Sequence, residues 1–223
     1  MILDTILGAV LGLVPCCMVG FIPAMMFLVA LVVVVYALKA KGRFDGAVKA
    51  FASETGLEFF RYSKVDDPQA RGEYRSRKVL LDVYAIRVEG YTGTDERDQS
   101  FNTYYTRAQA WHKGALKDDI HVSRRGIKTR LDKMLAGRKE MNLGVNAEFD
   151  RMYMVSGKDE ETARLILAPQ AQNTMVSLNR HLREVVIDKE NVSCAMIGRI
   201  TDKGKLRSLL DLACDLAEEA QKR

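Results

Sequence analysis

The chain has 223 residues, with 34 Lys+Arg against 29 Asp+Glu and a formal net charge of +5. A balance this mildly basic suits a domain beside an anionic membrane face and makes no demand for nucleic acid. Four cysteines without a CxxC spacing exclude a disulfide-built scaffold and fit a reducing compartment.

The first residues set the context for the rest. Residues 5–38 carry no charged side chain, and every basic residue follows residue 38. A bilayer core of ~30 Å needs roughly 20 apolar residues, so this run exceeds one straight span. Pro15 and Pro23 are where a helix is broken or started. The expected layout is a short apolar interfacial helix in residues 1–20, a transmembrane helix over 21–38, a helical stalk over 39–55 and one domain over 56–223. A second span in residues 1–20 is the alternative there. A cleaved signal peptide is not expected, because Asp4 replaces the usual basic start and no small-residue cleavage site follows. Lys39, Lys41 and Arg43 come directly after the apolar run. The positive-inside rule then gives a single-pass cell-membrane protein with a cytoplasmic C-terminal domain. Gly8 and Gly12 form a GxxxG, which lets membrane helices approach closely and leaves a homo-oligomer open.

After the span the helical pattern resumes, with Phe44, Val48, Phe51 and Ala52 on one face and Gly56 as a stop. Residues 57–62 read as a strand, and Asp66-Asp67-Pro68 as a turn. Residues 72–75 and 79 onward form a hairpin closed at Ser76-Arg77. The run 79–88 is apolar on both faces and is expected to be a strand covered on both sides. Residues 101–111 alternate, with Tyr104, Thr106, Ala108 and Ala110 on one face and Thr103, Tyr105, Arg107 and Gln109 on the other. Residues 90–100 between them are polar and glycine-containing, as a hairpin tip would be. Strands are expected at 120–123, 147–156, 184–188 and 192–200, and helices at 127–136, 159–167 and 171–182. The final helix starts at Thr201 or Asp202 and buries Leu206, Leu209, Leu210, Ala213, Leu216, Ala217 and Ala220. Interspersed hairpins and helices give an α+β fold with a mainly antiparallel sheet and packed helices.

Catalytic motifs are weak. The segment from Gly198 to Leu206 follows a strand and opens a helix, as a phosphate-binding loop does. Its glycines are one residue too far apart, and Leu206 stands where Mg²⁺ needs a hydroxyl. His112, His121 and His181 are not at metal spacing and read as surface or rim residues. Cys194 and Cys214 fall on apolar faces, where thiols are inert. No cofactor is implied. One segment rises above background. Arg124, Arg125, Lys128, Arg130, Lys133, Arg138 and Lys139 overlie an amphipathic pattern with Asp132 as the one acid. Basic amphipathic helices favour anionic membrane surfaces. The competing reading is a solvated face whose charges pair with the acids of residues 159–161.

The run Asn142-Leu-Gly-Val-Asn-Ala-Glu148-Phe149-Asp150, continuing through Tyr153, Val155, Asp159, Ala163-Arg164-Leu-Ile166-Leu167 to Pro169, resembles a family of prokaryotic membrane-anchored proteins of uncharacterised function. The family's pattern is Glu-Phe-Asp/Glu, then Phe-x-Val, then Asp-x-x-x-Ala-Arg-x-Leu-Leu-x-Pro. Tyr153 stands where Phe is usual, and Ile166 where the first Leu is usual. Gly72-Glu-Tyr-Arg-Ser76-Arg-Lys-Val79 is similar to the turn that often precedes that pattern, with Ser76 in place of the small turn residue. The resemblance implies a membrane-tethered cytosolic α+β domain and brings no catalytic residues. Together these readings give a membrane-anchored interaction or scaffold module that contacts anionic lipid headgroups through Arg124, Arg125, Lys128, Arg130 and Lys133. Its partners are the lipid bilayer and a protein the sequence does not name. An enzyme acting on a lipid or membrane-proximal substrate is the alternative.

Overall fold

The structure, a computed structural model, describes residues 25–33, 35, 39, 42–63, 66–89, 100–114, 116–125, 139–144, 146–178 and 181–223. The chain divides into two compact units, residues 1–43 and residues 44–223. In the first unit, residues 25–33, 35, 39, 42 and 43 are helical. Among the described residues no helix is long and apolar enough to cross a membrane. Of the span expected at 21–38, residues 21–24, 34 and 36–38 lie outside the described residues, as do residues 1–20 and Lys41.

The second unit opens with α1, residues 44–55, which Gly56 ends at φ 73°. Only a residue without Cβ adopts that left-handed stop at no steric cost. Phe44, Val48, Phe51 and Ala52 are buried in the common core, as their spacing predicts. Nine strands follow: β1 (Glu58–Phe60), β2 (Gln69–Tyr74), β3 (Arg77–Glu89), β4 (Ser100–Trp111), β5 (Ile120–Arg124), β6 (Lys139–Met141), β7 (Tyr153–Gly157), β8 (Leu182–Ile187) and β9 (Asn191–Ile197). They form one sheet in the order β1-β2-β3-β4-β9-β8-β5-β7-β6, and every neighbouring pair is antiparallel.

Register builds the core. Phe59, Ala70, Leu81, Ala108, Cys194, Val185, Val122, Val155 and Met141 stand opposite one another in a single row across all nine strands. Apart from Phe59 at the edge, each is buried. A bulge between Leu182 and Glu184 keeps both Leu182 and Val185 on this face. Helices cover it: α2 (Ala147–Met152), α3 (Glu160–Ile166), α4 (Pro169–Leu178) and α5 (Lys203–Gln221). The expected stripe of α5 is buried throughout. The turn between β2 and β3 is bonded to α5, with Tyr74 donating to Asp211 and Arg75 to Asp215.

Several expectations change. The stretch 147–156 is not one strand: α2 runs to Met152 before β7 begins. Asn146 explains the helix, because its side chain accepts from the N–H groups of Glu148 and Phe149. Pro169 does not merely divide two helices; it begins α4, where its missing N–H costs nothing. The helix expected at 171–182 ends at Leu178, and Leu182 already belongs to β8. The β2–β3 turn is Arg75-Ser76, one residue earlier than expected, with φ of 51° and 60°. Two positive φ values are what a two-residue type I′ hairpin requires. Strand β3 is not covered on both sides to the same degree. Val79 and Leu81 are buried on the helix side, whereas Leu80 and Tyr84 on the other face are half-buried. The expected alternation of residues 103–110 holds through β4. Residues 90–99 and the helix expected at 127–136 lie outside the described residues.

Candidate functional site

The sheet face opposite the helices carries the polar side chains. Asp82, Arg107, Ala195, Glu184, Ser123 and Met154 share one row there. Arg107 donates through Nε and Nη2 to both oxygens of Asp82, at 2.9 and 2.6 Å. Its guanidinium lies 5.0 Å from the Tyr84 ring centroid. Tyr84 stacks on Tyr105 and donates to Glu184 at 2.9 Å. Burial and the Glu184 carboxylate raise the Tyr84 pKa, so its proton stays on. Each member of this network already has a partner within the protein.

The histidines and cysteines settle into structure. His112 is buried rather than on the surface, which corrects the sequence reading. Gly114 N–H donates to its Nδ1 at 3.1 Å, so Nε2 carries the proton and donates to the Asp188 carbonyl at 3.0 Å. Burial lowers its pKa. His181 Nε2 lies 3.0 Å from Lys205 Nζ. Cys194 and Cys214 are buried, as expected, and burial pushes the Cys214 thiol up to about 11. Among the described residues no group of three or more His, Cys, Asp or Glu could hold a metal ion. At the phosphate-loop lookalike, Asp202 caps α5 by accepting from the Lys205 N–H. A carboxylate therefore occupies the place a phosphate would need.

A surface cavity of about 150 Å³ is lined by Leu116, Lys117, Asp118, Asp119, Asp159 and Thr162, among others. Asp118 pairs with Lys158 there, and Asp159 accepts from the N–H and hydroxyl of Thr162.

Of the basic segment, Arg124 ends β5 and Arg125 follows it; Lys128, Arg130 and Lys133 lie outside the described residues. Arg125 donates to the Asp150 carbonyl and pairs with Glu140. Of the acids expected as its partners, Asp159 caps α3 and Glu160 pairs with Arg164.

Two apolar features face solvent. In the first unit, Met25, Met26, Phe27, Leu28, Val29, Leu31, Val32, Val33 and Val35 are all exposed, at 43–73%. Consecutive positions on a helix cover its whole circumference, so among the described residues 25–33 and 35 no polar side is present. Lys39 and Arg43 are also exposed. In the second unit, Tyr62 is 75% exposed just after β1. Its ring meets Phe60 edge-on, with centroids 4.5 Å apart, and the Arg71 guanidinium lies 4.4 Å from the Phe60 centroid. Arg61 pairs with Asp45 of α1 at 2.9 Å and donates to the Asp66 carbonyl. Sequence reasoning took these residues as the end of a short strand. The available signal was two aromatic rings two positions apart, flanking an arginine.

No protein-family model matches the chain, and no curated protein matches it. Among solved structures, the crystal structure of the mycobacterial trehalose monomycolate transport factor A is similar, with a TM-score of 0.53 at 11% identity. The alignment covers 79% of this chain and 93% of that one. At that identity the likeness is one of fold: the chain is an α+β protein that shares its architecture with this transport factor.

Proposed function

We propose that this protein is a membrane-anchored interaction or scaffold module, held at the bilayer by a single helix over residues 21–38 with its α+β domain in the cytoplasm. One observation carries the reading. The described part of that helix, residues 25–33 and 35, exposes large apolar side chains on every side. A helix apolar all round belongs inside a protein or inside a bilayer, and the exposure of these side chains supports the bilayer. Lys39, Lys41 and Arg43 set the orientation. The resemblance of residues 142–169 to membrane-anchored proteins supports the same placement. In the structure those residues act as core and caps: Phe149, Tyr153, Val155, Ala163, Ile166 and Leu167 are buried, and Asp159 caps α3. The fold neighbour is named as a trehalose monomycolate transport factor, which is compatible with a role beside a membrane. Within this reading Arg124, Arg125, Lys128, Arg130 and Lys133 contact anionic headgroups.

A reporter fused after Arg223 tests the topology. One active only in the cytoplasm is expected to be active, and one active only outside to be silent. The reverse result overturns the placement of the domain.

A further inference from the structure

We infer that the end of β1 and the loop after it, carrying Phe60 and Tyr62, are a second membrane contact that seats in the headgroup region of the bilayer; this rests on the anchor reading. The residues meet a specific physical need. Tyrosine has an apolar ring and a polar tip, which suits the interface between hydrocarbon and water. Tyr62 is the most exposed large hydrophobic side chain in the described part of the domain, at 75%. It is held rather than loose, because Phe60 packs against it edge-on and Arg71 covers Phe60.

Position supplies the occupant. The Arg61–Asp45 ion pair ties this loop to the first turn of α1. Asp45 lies six residues after Lys39. Six residues span at most ~22 Å even when fully extended, so on the anchor reading the chain keeps the loop within reach of the bilayer surface. Among the described residues, Arg61 is paired with Asp45, and Arg71 donates to Glu58 at 3.4 Å. The inferred contact is made by ring insertion, which neutral lipid supports as well as anionic lipid. The basic segment after Arg124 would behave oppositely.

Tryptophan fluorescence in the full chain decides it. Trp111 is the chain's single tryptophan. On a Trp111→Phe background, Tyr62→Trp, Phe27→Trp and Leu165→Trp are reconstituted separately into phosphatidylcholine vesicles, with and without bromine on the acyl chains. Leu165 is an exposed position on α3 and serves as the comparison. Phe27→Trp reports the anchor. Thermal unfolding of each variant verifies the fold. The expected result is strong loss of emission at Phe27→Trp, partial loss at Tyr62→Trp and none at Leu165→Trp. Loss at Phe27→Trp with Tyr62→Trp no more quenched than Leu165→Trp overturns the contact and leaves the anchor standing. A blue shift at Tyr62→Trp without bromine quenching means a protein surface covers the ring, and overturns the lipid contact as well. No quenching at Phe27→Trp overturns the anchor reading itself.

Discussion

Two aromatic pairs stand toward opposite edges of the same sheet. Phe149 and Tyr153 stack at 5.3 Å beside β7, and both are buried. Phe60 and Tyr62 meet at 4.5 Å beside β1, and Tyr62 is 75% exposed. The buried Tyr153 hydroxyl donates to the Met175 carbonyl of α4, and burial pushes its pKa up to about 12. No described helix gives Tyr62 such a seat. The arginines at the two edges are both exposed: Arg125 pairs with Glu140 and donates to the Asp150 carbonyl, and Arg71 lies over the ring of Phe60. Similar side chains thus close the core at one edge and are presented at the other. Under the proposed anchor, the exposed Tyr62 ring is the part of the domain we assign to the bilayer surface.

If the comparison is right, the two edges separate stability from membrane contact. Phe149→Ala should cost about 3–5 kcal/mol, because it empties a fully packed site under α2. Denaturant unfolding of the full chain would measure it, while the bromine quenching of Phe27→Trp stays unchanged. Gly114→Ala should cost about 1–3 kcal/mol. The added Cβ would meet the Ala220 carbonyl oxygen at 2.2 Å, and backbone cannot yield as a side chain can. Acid should act on the interior as well. His112 has a lowered pKa in the folded state, so unfolding takes up a proton as pH falls. Its contribution to stability is complete above the unfolded value of 6.5 and is lost as pH falls through the lower folded value. Stability measured from pH 7.5 down to 5 should decline, and the His112→Gln chain should decline less.

The smallest stability effect belongs to the exposed edge. Tyr62→Ala should shift stability by no more than ~0.5 kcal/mol. Salt then separates the two proposed contacts. In nanodiscs, hydrogen exchange of residues 124–140 should slow only with anionic lipid, and the slowing should vanish at high salt. Exchange around residues 60–63 should slow with neutral lipid too and ignore salt. Equal salt sensitivity at both places would erase the distinction.

Much of the fold was legible because pattern and burial agree. From Thr106 to Ala110 the alternation of β4 buries one face, as the stripe of α5 does, so periodicity carried the information; Tyr105 is the exception, buried on the other face. The misreadings have local causes. Residues 147–152 hold Phe149 as their one buried side chain, too few for a helical period to show. What makes them helical is the Asn146 cap, a single side chain accepting two N–H bonds. The short β6 is fixed by pairing with β7, a long-range contact invisible in three residues. His112 looked like a rim residue until the close approach of Gly114 and Asp188 enclosed it. The candidate site was legible in one half only. A run of seven basic residues draws the eye, but an aromatic pair gains meaning once the Arg61–Asp45 bridge places it beside α1.

On the proposed function, residues 21–38 hold this protein in a bilayer. Washing membranes from cells that make the full chain, first with high salt and then at alkaline pH, tests it most directly. Ionic attachment fails in the first wash and peripheral attachment in the second, whereas a spanning helix survives both. The protein is expected to stay with the membranes through both washes and to leave only with detergent. Release by either wash would contradict it.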